Sequence, residues 1–237
     1  MKRFLITRYV SLAVAMTALA YTASAQSSFQ NFDFESAMPP FVVIDPTYGA
    51  VAVSNSVPGW SPYIGSGGAG IAVLYNNYFI GTPAVALLGP GWTNQPQIIE
   101  GSYSILLQGG AYPSSGPAFA SIAQVGLLPA GTKSIEFKGN GVPISSIGLF
   151  VAGQSIPVFP LSTTPSYTLY GADVSQFAGQ VAELRLTALV SPTYPFPNLL
   201  VDSFEFSNTA IPEPSTIGIS IFGASLLGWR LLRARRR

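Results

Sequence analysis

The sequence predicts an all-β body, an antiparallel β-sandwich, with an apolar segment at either end of the chain. Three observations carry this. The 237 residues include 24 Gly and 20 Pro, which interrupt helices and serve turns. Several short segments alternate apolar and polar residues, the period of a sheet buried on one face. Turn residues recur between those segments.

The chain starts with Lys2, Arg3 and Arg8, followed by an apolar run from Tyr9 to Ala20 and then Ala23-Ser24-Ala25. A basic start, an apolar middle and a small-x-small end make a signal peptide cut after Ala25, with Ala23 and Ala25 as the recognised small residues. Residues 1–25 are therefore expected to be removed by signal peptidase. The body, 26–211, folds outside the cytoplasm.

Within the body the strands follow in order. "NFDFES" sets Phe32 and Phe34 against Asp33 and Glu35. Ile71–Tyr75, Ala84–Leu88, Tyr103–Leu107 and Ala118–Val125 come next. "KSIEFKG" then sets Ile135 and Phe137 against Ser134, Glu136 and Lys138. Ile147–Val151, Gln154–Val158 and Tyr167–Tyr170 follow. "AELRLTALV" sets Leu184, Leu186 and Ala188 against Glu183, Arg185 and Thr187, and Leu199–Phe206 closes the body. "PAGT" at 129–132, "GNG" at 139–141 and "AGQ" at 152–154 supply turns. Asp173 with Gln176 reads as a capping box opening one short helix, with Gly179 ending it. Residues 36–100 are loop-rich. Their "GSGGAG" at 65–70 matches a dinucleotide fingerprint only in letters: no acid follows before Glu100, so it reads as a loop.

Composition excludes whole classes of chemistry. The chain has no His and no Cys, which removes histidine triads, thiol nucleophiles, disulfides and ordinary zinc sites. Between Gln26 and Ile211 three basic residues face nine acidic ones, a net charge of −6. Nucleic acid is not an expected partner of such a body.

The other basic residues collect at the end. Pro212-Glu213-Pro214 precedes Thr216–Trp229, a run without charge, and Arg230, Arg233, Arg235, Arg236 and Arg237 finish the chain. Prolines favour an exposed, extended linker. With the Arg230 stem counted as apolar, the run extends through Leu232 and is expected to form a short transmembrane helix, whose arginines stay in the cytoplasm. Ser220, Ala224 and Gly228 recur on one face of that helix, either for docking or as ordinary small membrane residues.

The order of these parts resembles the PEP-CTERM sorting signal of Gram-negative bacteria. The resemblance implies that residues 212–237 are a substrate for exosortase, a membrane enzyme proposed to cut near the Pro-Glu-Pro. It implies that the helix and arginines are transient and that the body reaches the cell surface or an extracellular matrix. Such proteins are associated with bacteria that make exopolysaccharide.

The body also resembles carbohydrate-binding, galactose-binding-like jelly rolls. The matching pieces are "FQNFDFES", "VPGW" at 57–60, "GSYSILLQ" at 101–108, "SIAQVGLLPAGTKSIEFKGNG" at 121–141, "YTLYGADVSQFAGQVAELRLTAL" at 167–189 and "LLVDSFEFS" at 199–207. The resemblance implies that the first and last strands pair, with a structural Ca²⁺ near their carboxylates. Asp33, Glu35, Asp202 and Glu205 are the candidate ligands. The alternatives are solvent-facing charge and, more remotely, a glycosidase acid pair. Here Asp202-Ser203 stands where that family usually shows two acids or an acid and Asn. Asp202 shares parity with Phe204 and Phe206, so it is expected on the buried face with a cation, Arg185 or backbone N–H groups as partner. Trp60, Trp92, Tyr112 and Tyr194 lie in Gly/Pro loops and are candidates for stacking on sugars, with core packing as the commoner fate.

The expectation is thus an exported, non-enzymatic surface or matrix protein associated with exopolysaccharide. The alternative is a carbohydrate-binding module acting through loop aromatics.

Overall fold

Ser134–Asn140 shows how the sequence makes its strands. Ile135 and Phe137 are fully buried, while Glu136 and Lys138 on the other face are only partly so. Phe137 stacks on Tyr170 and Phe204, with ring centroids 5.5 and 5.4 Å apart. Repeated along the chain, this alternation builds two facing sheets. The computed structural model describes residues 28–79, 81–112 and 116–211. The expected signal peptide with Ala23 and Ala25, the Pro212-Glu213-Pro214 motif, the apolar run after it and the arginines 230, 233 and 235–237 lie outside the described residues. Among the described residues no helix is long and apolar enough to cross a membrane.

The larger sheet runs, in spatial order, β1 (Val43–Asp45), β2 (Ala50–Ala52), β4 (Ala72–Tyr75), β5 (Ala84–Leu88), β6 (Ser104–Gln108), β16 (Asn198–Ser207), β10 (Ser134–Asn140), β14 (Thr168–Asp173) and β13 (Phe159–Thr163). The smaller sheet runs β12 (Gln154–Ile156), β11 (Ile147–Val151), β15 (Val181–Ala188), β9 (Ala120–Leu127) and β3 (Ser61–Ile64). A hairpin of β7 (Gly110–Tyr112) and β8 (Gly116–Ala118) stands apart. Pairing is antiparallel throughout except between β4 and β5. The fold is an all-β sandwich, as the alternation predicts.

The core lies between the sheets. Ile105, Leu107, Leu199 and Val201 of the larger sheet meet Ile122, Leu149, Leu184 and Leu186 of the smaller one. The intervening residues Leu106 and Leu200 point the other way. They join Leu74, Ala86 and Leu88 in a second apolar cluster on the outer face, roofed by Tyr78, Phe79, Trp92, Ile98 and Ile99. Both faces of the central strands are therefore covered, which explains why Ala84–Leu88 is an unbroken apolar run.

Two edges carry proline, where a missing N–H costs least: Pro160 in β13 and Pro62 in β3. Ala152 and Gly153 both take positive φ, 51° and 77°, and turn β11 into β12. This matches the primed turn that a tight hairpin favours.

Pairing gives the sandwich two distinct ends. The chain enters beside Leu127, which Ser28 bridges, and β16 finishes at Ser207 opposite Ser134. This is the near end. At the far end Ile64, Ala120, Ala188 and Ile147 stand in one row of the smaller sheet. Ala84, Gln108 and Asn198 stand in the corresponding row of the larger one.

Three expectations need correction. "NFDFES" is not a strand: residues 32–36 form successive turns, with Asn31 and Phe34 at φ 55° and 59°. Phe34 is nevertheless fully buried, because turns as well as strands can send alternate rings inward. The expected pairing of first and last strands shrinks to one bond, from the Phe204 N–H to the Phe32 carbonyl at 2.9 Å. The helix after Asp173 is a single 3₁₀ turn, Ser175–Phe177. Asp173 accepts from the Ser175 N–H at 2.8 Å, a local turn bond rather than a capping box.

Candidate functional site

The predicted carboxylates are separated by a bulge. Asp202 pairs with Lys138 and Glu205 with Glu136, and the register slips between them. Ser203 absorbs the extra residue at φ 49°. Phe204 and Phe206 consequently face the core, while Asp202 turns to the outer face with Leu200. It is still only 1% exposed, because the 98–103 loop covers it. Asp202 is buried, as its parity with Phe204 and Phe206 predicts, but on the opposite face of the sheet from them.

Asp202 is satisfied by neutral donors. Its Oδ2 accepts from the Ser104 hydroxyl at 2.7 Å and the Glu100 N–H at 3.3 Å; its Oδ1 accepts from the Ser203 N–H at 2.7 Å. Among the described residues no cation pairs with it directly; burial dominates and pushes its carboxyl up to about 6. Arg185, the other candidate partner, binds Glu183 through two bonds of 2.8 and 3.2 Å and lies over the Tyr63 ring at 3.9 Å.

Glu35 works on the same loop from the other side. Its Oε1 accepts from the Ser102 and Tyr103 N–H groups at 2.7 and 2.9 Å. Gly101, at φ 60°, sits against this carboxylate, and a Cβ there would collide with it. Glu100 points outward to Lys138 and accepts from the Ser203 hydroxyl at 2.7 Å. The lysine and the hydroxyl together hold the Glu100 carboxyl below its ordinary value.

Asp33, Glu35 and Asp202 thus do meet, with Glu100, around a recess of about 160 Å³. Glu205 does not; it lines a neighbouring groove with Glu136 and Lys138. The acids of the recess are spent on protein donors. Among the described residues no three acidic side chains gather as a metal set. A calcium ion takes six to eight oxygens, and here Asp33, Glu35 and Asp202 each already accept from the protein's own N–H or O–H groups. Glu100 escaped the sequence reading, although one signal marks it: it is the only charged residue between Asp45 and Lys133.

The aromatic candidates divide. Trp60 is 2% exposed, packs on Phe32, Phe34 and Phe204, and donates its ring N–H to the Asn31 carbonyl at 2.8 Å. It is a core residue and is unavailable to any ligand. Trp92 roofs the outer cluster, bonded to the Pro96 carbonyl at 2.8 Å and edge-on to Tyr78. Tyr112 and Tyr194 lie at the far end, Tyr112 exposed and Tyr194 half-buried. Exposed Phe119 and Phe196 join them there, and the sequence reading missed both. The 65–70 glycine loop also lies there. It leads into strand β4 rather than a helix, which removes any dinucleotide site.

No family model matches the sequence, and no curated protein matches it. Among solved structures the chain is similar to the crystal structure of an apo form cyclase from Fischerella sp., with 16% identity and a TM-score of 0.37. The likeness covers 75% of this chain and 96% of that one. At that score it carries no argument about fold detail or activity.

Proposed function

We propose that this is an exported, non-enzymatic protein of the surface or extracellular matrix of a Gram-negative bacterium, a galactose-binding-like jelly roll delivered by a PEP-CTERM signal. The carrying observation is the order of parts at the end of the chain: Pro212-Glu213-Pro214, an uncharged run and five arginines. That order starts immediately after Ile211, the last described residue of the sandwich. In this reading signal peptidase removes residues 1–25. The C-terminal helix parks in the membrane, and exosortase cuts near Pro212-Glu213-Pro214 to release the body toward exopolysaccharide or biofilm. A lack of catalysis accords with the absence of His and Cys and with acids already bonded to the protein's own donors. Mass spectrometry of surface-localised material tests the route. A C-terminus near Pro212 is expected, and surface material still ending in Arg237 overturns it.

A second reading, a carbohydrate-binding module, is favoured by the exposed rings gathered at the far end. Retention of the protein on a polysaccharide column supports it, and free passage over every polysaccharide tried counts against it.

A further inference from the structure

The charges of the body are absent from one end of it. No Asp, Glu, Lys or Arg occurs in 46–99, 101–132, 139–172 or 186–201. Among the described residues these spans contain the loops of the far end: 65–71, 81–83, 109–112, 116–119, 141–146, 164–167 and 189–197. Lys138 reaches the margin of this end: its ammonium stands 5.3 Å from the centroid of the Tyr167 ring, and it is paired with Glu100 on the outer face. In place of charge the far end carries exposed rings. Tyr112, Phe119 and Phe196 are 38%, 40% and 51% exposed, and Tyr194 stands among them.

The loops that carry the rings are tied to one another. The Gly109 N–H donates to the Pro197 carbonyl at 2.8 Å, the Ala111 N–H to the Gly81 carbonyl at 2.9 Å, and the Gly65 N–H to the Phe119 carbonyl at 2.8 Å. The Tyr194 hydroxyl donates to the Gly141 carbonyl at 3.0 Å. The Phe196 ring lies against Gly81. Rings held by such ties lose little freedom when a ligand arrives.

We infer that this charge-free end is a binding platform for an uncharged glycan, which stacks pyranose faces on Phe119, Phe196, Tyr112 and Tyr194. The inference rests on the carbohydrate-binding reading and deepens it, by placing the site and stating the charge of the ligand. Rings interleaved with Ser, Thr and Gly offer apolar faces beside neutral hydrogen-bonding groups, which suits a polyol. An anionic glycan would meet only Lys138, at the margin and already paired with Glu100, for its carboxylates, and a lipid headgroup the same for its phosphate.

The test uses the full-length chain in detergent, with dextran, galactomannan and cellulose as neutral probes and alginate as the anionic one. Binding to at least one neutral probe is expected, weaker to alginate, and insensitive to salt. Phe119→Ala and Phe196→Ala should each weaken it roughly two- to tenfold, with cooperative thermal unfolding retained, because each residue is 40% or more exposed. Trp92→Ala should leave it unchanged. Binding that survives both phenylalanine variants but fails in Trp92→Ala overturns this site and leaves the carbohydrate reading standing. Binding to no probe overturns both. Preference for alginate, or association with phosphatidylcholine vesicles or a second copy that both phenylalanine variants abolish, also overturns the inference.

Discussion

Ser104 donates its hydroxyl to Asp202 across 2.7 Å and so ties β6 to β16 beneath the 98–103 loop. The bond joins two buried groups on the outer face of the larger sheet; it favours the ionised carboxyl, but burial outweighs it and makes the stability of that face depend on pH. Burial raises the Asp202 carboxyl from 3.8 to about 6. The unfolded chain releases this proton near 3.8, whereas the folded one keeps it to about 6. The folded state therefore binds more protons within that window, and the Asp202 contribution to stability falls as pH rises through it, then levels off. The full loss is on the order of 2–3 kcal/mol. Urea unfolding at pH 4.5 and pH 7 should show Asp202→Asn gaining on the parent protein as pH rises. An identical difference at both pH values would contradict the assignment.

Gly101→Ala should unlock the same loop from its other side. The new Cβ meets the Glu35 carboxylate and must hold positive φ, which costs about 1–2 kcal/mol. Hydrogen exchange should speed up at the Ser102 and Tyr103 amides, the two that Glu35 accepts. Glu35→Ala should reproduce that local effect with a glycine still at 101.

Trp60→Ala should cost roughly 3–5 kcal/mol, the usual range for emptying a buried aromatic site. Trp60→Phe should cost less, losing the indole bond to an Asn31 carbonyl that keeps the Phe34 N–H at 3.3 Å, about 1 kcal/mol. Neither variant that still folds should change glycan retention, since the ring reaches no surface. Thermal unfolding and the polysaccharide column together check this.

Arg185→Lys keeps the charge but loses the paired bonds to Glu183 and the flat stack over Tyr63. A loss of about 1 kcal/mol is expected. A double-mutant cycle with Tyr63→Leu separates the ring from the carboxylate; additive effects would mean that the stack contributes nothing.

Much of this fold could be read where physics leaves one signal. Ala84–Leu88 and Ile147–Val151 match their expected bounds, because each is an apolar run between turn residues. Phe159–Thr163 escaped notice, since Pro160 is tolerated only at an edge, and an edge is a property of the assembled sheet. "NFDFES" misled for the converse reason: a chain of turns can send alternate rings inward as a strand does. The candidate site was less legible. One bulge at Ser203 reversed the face of Asp202, and nothing in "VDSFEF" announces a bulge. The far end was half visible. Tyr112 and Tyr194 were found as loop aromatics, but only pairing reveals that their loops share one end and that no charged residue lies within them.

β16 runs the length of the larger sheet, bonded to β6 on one side and β10 on the other. Its ten residues span roughly 33 Å, from the ring-bearing end at Asn198 to the point where the chain leaves at Ser207. A tether attached beyond Ile211 would therefore hold the body by its acidic end and turn the rings outward. Tension between a ligand on the rings and that tether would run along β16. Antiparallel bonds lie across the strand, so they would be loaded together in shear rather than unzipped singly. Single-molecule pulling through Asn198 and residue 211 should meet a higher breaking force than pulling that peels the short edge strand β1 from its neighbour. Equal forces would show that the central strand bears no such load.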